Sequence, residues 1–520
     1  MIGNYLVSLD AGTGSCRCAI FTRYGKQVSI ASREWTHQNI PQYPGSQVFD
    51  TQKNWILICE SIREAINKAN IKPKDIVAVS ASSMREGMVL YDEKGREIWA
   101  CPNADARAKE EAAEMIKEGL AEKIYKIGGD WVSIISPPRF RWIKKYMPNI
   151  YKQMRHVTML SDWIIYKLTG TFATDPSIGS SSGLFDLSKR TWSNELIELC
   201  EIPKDIFPEV YESGSVVGEV SKKATEETGL KEGTPVVIGG ADTQLALLGL
   251  GAIKPLDMAT IGGTFWQQTA VMDKPVIDPH IRLRTLCHVI PGEWMIEGVG
   301  FYCGLTMRWF RDAFCELEIK EAKEKGVDPY VIMEEEAKKA PLGANGIFAI
   351  FSNVMNAKRW VHASPMFVQF DILSPHTSGR KECIRAIEES AAYVSYGHLE
   401  IIEELLDYTP EEMIFAGGAS KGRLWPQILA DVFGMKVKVP IVKETTSLGA
   451  AICAAVGIGM YKNIDDAIKE IIKWETIYTP NDENHRFYMK CYEKWKKIYE
   501  YALKLVEANL LKPMWSPPAY

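Results

Sequence analysis

The sequence predicts an α/β protein with two related domains in tandem, each a mixed sheet covered by helices on its faces. The chain opens with three short strands joined by tight turns, followed by an amphipathic helix and a buried strand. Near residue 255 a similar succession begins again, which indicates an internal duplication. With 520 residues the chain is long enough for two large domains. We expect an N-terminal half of residues 1–252 and a C-terminal half of residues 253–520.

Hydrophobic periodicity and turn residues define the elements of the N-terminal half. Apolar side chains at Trp55, Ile58, Ile62 and Ile66 recur at helical spacing and predict a helix over residues 51–70. The segment 174–183 is rich in Ser and Gly and is expected to be a polar loop. The remaining predicted elements are strands at 5–9, 16–21, 27–32, 76–80 and 235–239, and helices at 105–118 and 138–146.

The C-terminal half shows the same alternation. Residues 9–14 read Leu-Asp-Ala-Gly-Thr-Gly and residues 260–265 read Thr-Ile-Gly-Gly-Thr-Phe, so each half begins with a strand, a Gly-Thr turn and a second strand. Hairpins with such turns are common, so coincidence remains the alternative to duplication. The predicted strands are 258–261, 265–271, 413–415 and 436–439, and the predicted helices are 305–315, 385–406, 423–433, 448–456 and 483–511.

Composition excludes several classes of protein. Hydrophobic residues make up 46% and charged residues 24%, which is ordinary for a globular chain and unlike a disordered, collagenous or coiled-coil protein. A net charge of −5 gives no overall attraction to nucleic acid or anionic membranes. No apolar run reaches the roughly 18 residues of a membrane span. The N-terminus lacks a basic signal-peptide region, and the 11 cysteines form no Cys-x-x-Cys pair, so we expect reduced thiols and a cytoplasmic location.

Two glycine turns are candidate phosphate sites. The segment Asp10-Ala-Gly-Thr-Gly-Ser can direct backbone N–H groups at one small volume, and such nests bind anions. Asp10 fits an anion site only if a divalent cation lies between it and the phosphates. A second turn, residues 262–264, could act from the other domain. Ordinary hairpin turns are the alternative for both, and the common P-loop and Gly-x-Gly-x-x-Gly fingerprints are absent.

Several polar residues follow predicted strands, where α/β sheets bind their ligands. Asp242, after Gly239-Gly-Ala, is placed to act as a general base or, alternatively, to cap a helix. The glycines of residues 415–421 would permit close approach of a ring or sugar, or form a tight turn. Arg85 and Glu86 could bind vicinal hydroxyls or form a solvated surface pair. Asp105 and Trp163 could add further polyol contacts.

Taken together, residues 10–15, 239–242, 262–264 and 416–421 resemble the FGGY carbohydrate kinases in order and spacing, over nearly the whole chain. The resemblance implies two tandem actin/hexokinase/Hsp70-like (ribonuclease H-like) domains with an ATP cleft between them. Segments 83–87, 99–107, 262–268, 304–315 and 418–425 resemble members that phosphorylate the primary hydroxyl of 4,5-dihydroxy-2,3-pentanedione. One departure is the segment Asp175-Pro-Ser-Ile178, where the pattern has Asn after the Ser.

The resemblance also implies a role for each candidate residue. Asp242 is the catalytic base, and Asp10 holds Mg²⁺ through water. The first phosphate loop consists of Gly12, Thr13, Gly14, Ser15 and Arg17, and the second of Gly263 and Thr264. The nucleoside end is lined by Gly304, Arg308, Gly418 and Lys421, and the acceptor is held by Arg85, Glu86, Asp105 and Trp163. The implied partners are ATP, Mg²⁺ and a small sugar-like acceptor, with no nucleic acid and no membrane.

Other functions remain open from the sequence alone. A pentulose or polyol kinase, such as a xylulokinase, would use the same phosphate machinery. An actin-like or Hsp70-like ATPase would need no acceptor site, and a sugar-sensing regulator would bind without turnover. The oligomeric state also stays open, with a homodimer as one candidate. The glycine-rich segment 249–252 lies between the halves and is the candidate hinge.

Overall fold

The computed structural model describes residues 5–359 and 361–515. The strands of the N-terminal half are β1 (Tyr5–Ala11), β2 (Ser15–Thr22), β3 (Gln27–Glu34), β4 (Ile76–Ser83), β5 (Met88–Tyr91), β6 (Glu97–Cys101), β7 (His156–Met159), β8 (Ala173–Thr174), β9 (Phe185–Asp186), β10 (Thr191–Trp192), β11 (Glu209–Val210), β12 (Val216–Glu219) and β13 (Pro235–Ala241). Its helices are α1 (Thr51–Ala69), α2 (Lys109–Lys117), α3 (Leu120–Gly128), α4 (Ser136–Tyr146), α5 (Pro148–Gln153), α6 (Leu160–Thr169), α7 (Pro176–Ser180), α8 (Asn194–Leu199), α9 (Lys222–Thr228) and α10 (Asp242–Leu250).

The strands of the C-terminal half are β14 (Met258–Gly262), β15 (Trp266–Met272), β16 (Arg284–Cys287), β17 (Trp294–Gly300), β18 (Phe348–Ile350), β19 (Met366–Val368), β20 (Glu412–Ala416), β21 (Lys436–Pro440) and β22 (Trp474–Tyr478). Its helices are α11 (Cys303–Phe314), α12 (Glu316–Lys325), α13 (Pro329–Ala337), α14 (Arg380–Leu406), α15 (Leu424–Phe433), α16 (Thr445–Gly457), α17 (Ile464–Ile471) and α18 (Asp482–Glu507). Short 3₁₀ segments cover Pro73–Asp75, Lys204–Ile206, Leu342–Gly346, Pro375–Thr377 and Gly418–Lys421.

Each half is built around one mixed sheet. The first sheet has six strands in the order β12-β13-β4-β1-β2-β3, and the second has seven in the order β16-β17-β15-β14-β20-β21-β22. In the first, β1 runs parallel to β4 and β4 to β13, whereas β2, β3 and β12 are antiparallel to their neighbours. In the second, β14, β20 and β21 take the parallel positions. The two sheets therefore repeat one arrangement, as the sequence predicted.

Most predicted elements are present with small shifts at their ends, and two regions differ. The helix expected over 105–118 begins only at Lys109, because Asp105 and Arg107 form a buried ion pair in the preceding turn. The expected polar loop 174–183 contains α7, and the hydroxyls of Ser180, Ser181 and Ser182 each donate to the main-chain carbonyl three residues earlier. Thirteen strands, β5 to β12, β16 to β19 and β22, were not predicted. All of them except β17 have five residues or fewer, which is too short for a clear alternation of polar and apolar residues.

Helices α10 and α16 join the two halves. Helix α16 packs on β1, β4 and β13 of the first sheet although it belongs to the C-terminal half. A Cβ atom on Gly249 would lie 2.0 Å from the main-chain oxygen of Thr445, and one on Gly449 would lie 1.9 Å from that of Leu245. The two backbones therefore touch, which only glycine permits at both positions. Gly249, part of the candidate hinge, thus has a packing requirement of its own, and the hinge stays a prediction.

The described helices include none that is both long enough and apolar enough to span a membrane. All 11 cysteines are free thiols, and nine of them are buried.

Candidate active site

Asp10 and Asp242 lie at the same edge of the first sheet. Asp10 on β1 is paired with Ser82 on β4, and Ser83 on β4 is paired with Ala241 at the end of β13. Because these three strands are parallel and adjacent strands are about 4.8 Å apart, their carboxyl ends meet at one place. The charge of Asp10 contributes to the raised pKa of Asp242, so the two carboxylates interact.

Asp242 is the first residue of α10 and keeps access to solvent. Its side chain is 36% exposed, and its Oδ1 accepts a hydrogen bond of 2.7 Å from its neighbour, the Thr243 N–H. Burial raises the pKa of the Asp242 carboxyl to about 6, while Arg85, whose Nε lies 3.9 Å from Oδ1, opposes the rise. A carboxylate with this pKa is suited to accept a proton near neutral pH.

The turn before Asp242 requires its two glycines. A Cβ atom on Gly239 would lie 2.1 Å from the Ala81 carbonyl oxygen, and one on Gly240, whose φ is +144°, would lie 2.3 Å from Ser177 Oγ. Ser177 Oγ accepts from the Ala241 N–H at 3.0 Å and donates to Asp175 Oδ1 at 2.5 Å. The segment that departs from the family pattern is therefore buried beneath the turn that carries Asp242.

The first glycine loop connects β1 to β2. The Gly12 N–H donates to the Ser15 carbonyl at 2.9 Å, and the indole N–H of Trp35 donates to the Gly12 carbonyl at 3.0 Å. His37 Nε2 lies 3.0 Å from the Thr13 carbonyl oxygen. The N–H groups of Thr13 and Gly14 donate no hydrogen bond within the described residues. The loop carbonyls are thus held, while two exposed N–H groups remain available to an anion.

Arg17 lies beside this loop on β2, directly opposite Asp10. Its Nη1 is 3.8 Å from Asp10 Oδ2 and 3.7 Å from Glu444 Oε2, and its side chain is half exposed. Asp10 itself is buried, and its Oδ1 has no hydrogen-bond partner among the described residues. Burial raises the pKa of the Asp10 carboxyl, while Arg17 opposes that rise.

The second glycine loop connects β14 to β15 in the corresponding position. The Gly263 N–H donates to the Phe265 carbonyl at 3.0 Å, as Gly12 does to Ser15. The Thr264 carbonyl accepts from the Gly304 and Leu305 N–H groups at 3.2 and 3.3 Å. A Cβ atom on Gly304 would lie 2.0 Å from the Gly263 carbonyl oxygen. The start of α11 therefore rests directly on this loop.

The other candidate nucleoside residues lie on nearby elements. Arg308 follows Gly304 by one turn of α11 and is exposed. Gly418 and Lys421 are exposed on the 3₁₀ segment after β20. The preceding Gly417 has φ +92°, and a Cβ atom there would lie 2.6 Å from the Gly262 carbonyl oxygen. This contact brings the turn after β20 against the second glycine loop.

Arg85 and Glu86 follow β4, between Asp10 and Asp242. The Arg85 guanidinium makes two hydrogen bonds of 3.0 Å to Glu297. Glu86 adopts a left-handed backbone with φ +61°, and Arg139 Nη1 donates to its main-chain oxygen. Both side chains are buried. The structure therefore brings Arg85, Glu86 and Asp242 together.

Comparison with known families agrees with this geometry. A model of the FGGY family of carbohydrate kinases, N-terminal domain, matches residues 5–249, and the C-terminal domain model of the same family matches residues 259–458. The chain belongs to the FGGY family of carbohydrate kinases. It is therefore an ATP-dependent sugar kinase, and the resemblance seen in the sequence is confirmed.

Individual FGGY proteins give a finer comparison. The autoinducer-2 kinase of Salmonella typhimurium is 44% identical over 519 residues, which cover 99% of this chain and 98% of that protein. The autoinducer-2 kinase of Escherichia coli is 44% identical over 517 residues, covering 99% and 97%. The solved structure of xylulose kinase from Rhodospirillum rubrum aligns with a TM-score of 0.83 at 24% identity and covers 96% of this chain and 99% of that one.

Two predicted acceptor residues are enclosed in the FGGY fold. Asp105 is buried, accepts from the Gln47 N–H at 2.7 Å and pairs with Arg107 Nε at 2.7 Å. Trp163 is fully buried on α6, and its indole donates to Glu97 Oε1 at 2.8 Å. Both side chains are therefore buried and bonded to partners within the protein, and a direct acceptor contact from either one stays a prediction.

Sequence reasoning missed four residues that support the site. Trp35 and His37 hold the carbonyls of the first loop, and Arg284 and Glu297 hold Glu86 and Arg85. The only local signal for Trp35 was an aromatic side chain just after β3. Nothing near Arg284 or Glu297 in the sequence marked them, because their partners are about 200 positions away along the chain.

Proposed function

We propose that this kinase transfers the γ-phosphoryl group of ATP to a primary hydroxyl of a small sugar-like acceptor, with Asp242 as the general base. The hydroxyl oxygen forms a bond to phosphorus as the bond to the ADP oxygen breaks, and the hydroxyl proton passes to Asp242. The observation that carries this proposal is the state of Asp242. It is solvent-accessible at the carboxyl end of β13, interacts with Asp10 and has a pKa raised to about 6.

The two glycine loops are the proposed phosphate sites. Free N–H groups at Thr13 and Gly14 suit phosphate oxygens, and Arg17 adds a cation beside them. In the C-terminal half Gly263 and Thr264 form the matching turn, with Gly304 and Arg308 on α11 and Gly418 and Lys421 after β20 as the proposed nucleoside end. Phosphoryl transfer depends mainly on positioning and charge neutralisation, which such loops supply.

Asp10 is the proposed Mg²⁺ residue. Its buried Oδ1 has no partner among the described residues, and burial raises the pKa of its carboxyl more than Arg17 lowers it, so the charged form is disfavoured. A divalent cation would meet both needs, so the residue fits the ion. No cluster of three or more His, Cys, Asp or Glu side chains suited to a metal occurs within residues 5–359 and 361–515. Water and phosphate oxygens would therefore complete the coordination. When bound, Mg²⁺ neutralises charge on the phosphates.

The proposed acceptor is autoinducer-2, as its linear form 4,5-dihydroxy-2,3-pentanedione. Support comes from the autoinducer-2 kinases that are 44% identical over nearly the full length of both chains. Arg85 can donate to acceptor oxygens and Glu86 can accept from its hydroxyls, beside the base at Asp242.

An acceptor panel tests the proposal. Purified protein with ATP and Mg²⁺ is supplied with 4,5-dihydroxy-2,3-pentanedione, xylulose, ribulose or glycerol, and ADP release is measured. We expect the highest kcat/KM with 4,5-dihydroxy-2,3-pentanedione. A higher value with a pentulose would reassign the acceptor while leaving the kinase chemistry intact. ADP release that no acceptor stimulates would instead favour an ATPase.

A further inference from the structure

A cluster of buried charges connects the two halves beside Asp242. Arg85, Glu86 and Asp130 come from the N-terminal half, and Arg284 and Glu297 come from β16 and β17 of the C-terminal half. Arg284 Nη1 is 3.0 Å from Glu86 Oε1 and 3.3 Å from Asp130 Oδ2. Glu297 accepts both bonds from Arg85 at 3.0 Å. Arg85 and Glu86 are thus each held by a residue of the opposite half.

Glu297 is placed to fix the direction of the Arg85 guanidinium. Its side chain is fully buried, and the two parallel bonds restrict the plane of the guanidinium as well as its position. Burial opposes ionisation of Glu297, but Arg284 and Arg85 outweigh it and lower its pKa to about 2. Glu297 therefore stays charged, and Arg85 Nε is left directed toward Asp242 at 3.9 Å.

Arg284 fixes the position of the Glu86 carboxylate, and the register of the β16–β17 pair fixes Arg284 itself. It lies directly opposite Glu297 in the β16–β17 pair, and its Nη2 is 2.7 Å from Glu297 Oε1. The backbone of Glu86 is held within the N-terminal half, where its N–H donates to Ser181 Oγ at 3.3 Å. Only its carboxylate is held from the other half.

We propose that Glu297 and Arg284 are positioning residues through which the C-terminal half completes the acceptor site. They orient Arg85 and Glu86, so acceptor affinity depends on the two halves being in contact at β16 and β17. This inference rests on the proposed function, because Arg85 and Glu86 matter here as acceptor-binding groups. Acceptor binding and contact between the two halves are then coupled. An acceptor that binds the oriented Arg85 and Glu86 stabilises the arrangement in which the halves touch.

A purely structural role is the competing explanation. Buried ion pairs often contribute little net stability, while loss of one partner is strongly destabilising. A stability measurement therefore does not distinguish a positioning role from a structural one, so the two are distinguished by kinetic constants. A positioning role changes the KM of the acceptor with little effect on the KM of ATP, since the glycine loops lie outside the cluster.

The test compares Glu297→Gln and Arg284→Lys with the control Glu389→Gln. Glu389 forms a buried pair with Arg385 at 2.9 Å on α14, so its loss has a similar cost in folding without touching the acceptor site. The acceptor is whichever compound of the panel the unaltered protein uses best. We expect the acceptor KM to rise at least about tenfold in both site variants. The ATP KM and acceptor-free ATP hydrolysis should stay within about twofold, and Glu389→Gln should leave all three unchanged.

An unchanged acceptor KM in folded Glu297→Gln or Arg284→Lys protein, with melting temperatures lowered as in the control, would overturn the inference. If Glu297→Gln does not fold, Glu297→Asp keeps the charge but shortens the reach, and the same criterion applies to it. Failure of the unaltered protein to phosphorylate every acceptor would instead count against the proposed function, so the two failures are distinct.

Discussion

Asp10 on β1 and Asp242 just after β13 lie at one edge of the same sheet, separated only by β4, and the charge of Asp10 helps to raise the pKa of Asp242. Asp242 keeps a third of its side chain exposed, whereas Asp10 is almost fully buried with one unpartnered oxygen. The exposed carboxylate of Asp242 can reach a substrate, whereas the buried carboxylate of Asp10 has an oxygen free to bind an ion. An accessible base and a cation-holding residue are the roles we propose for them.

Replacing the proposed base should remove most activity. Asp242→Asn keeps the size of the side chain and an oxygen that can accept from Thr243, so the protein should fold and bind ATP. Because a positioned base typically contributes about 10²–10⁴-fold, kcat should fall by at least that lower factor. Turnover, melting temperature and ATP binding are measured for each protein. The control is Asp482→Asn, which makes the same substitution at an exposed position. Near-normal turnover in Asp242→Asn would refute the assignment.

The pH dependence should follow ionisation of Asp242. Its pKa is raised to about 6, chiefly by burial, and the base works only when deprotonated. The kcat/KM for the acceptor should therefore rise with pH and level off above this value. A divalent cation bound near Asp10 would favour the charged form of Asp242 and lower the pH at which kcat/KM is half-maximal. The pKa of about 6, which applies without a cation, is therefore an upper bound for that pH. A kcat/KM that shows no rise at any pH below 7.5 would contradict this role.

The second glycine loop should be sensitive to one methyl group on α11. In Gly304→Ala the new Cβ would lie 2.0 Å from the Gly263 carbonyl oxygen, so the loop or the helix must move. Overpacking of this kind typically costs about 1–3 kcal/mol. We expect the KM of ATP to rise about tenfold, with the acceptor KM nearly unchanged. Equal increases in both KM values would mean that the loop is not specific to the nucleotide.

The contact between α10 and α16 should be equally intolerant of a side chain. Gly249→Ala places a methyl group 2.0 Å from the Thr445 carbonyl oxygen and forces the two helices apart. The free energy of unfolding should fall by roughly 1–3 kcal/mol in chemical denaturation. Gly379→Ala is the control, since a Cβ there meets its nearest atom at 3.7 Å. A Gly249→Ala protein as stable as this control would show that the helices can separate freely.

Asp162 should make stability depend on pH. Burial, with help from the charge of Asp175, raises the pKa of its carboxyl to about 8. The folded state therefore holds this proton more tightly than the unfolded chain. The resulting stabilisation is complete below the unfolded pKa and is lost as the pH rises through about 8. The melting temperature of the unaltered protein should fall, relative to Asp162→Asn, between pH 5 and 9. If the melting temperatures of the two proteins changed with pH in the same way, Asp162 would not contribute to the pH dependence of stability.

Local sequence signals predicted the elements that local forces build. The helix α1 was recognised because its apolar residues share one face, and the turn before Asp242 was recognised because two glycines interrupt a buried strand. The roles of Asp105 and Trp163 were harder to judge. A polar or aromatic residue beside a site has the same local pattern whether it faces a ligand or the core, and both side chains are buried here.

By itself the sequence determined the fold class, the family, the two glycine loops and the candidate base, because each depends on residue types at short spacing. The tertiary structure alone decided which charges meet. Arg85 finds Glu297 across 212 positions of the chain, and Glu86 finds Arg284 across 198. Such pairs form only after the two sheets have folded and packed together, so no short stretch of sequence shows which residues will pair.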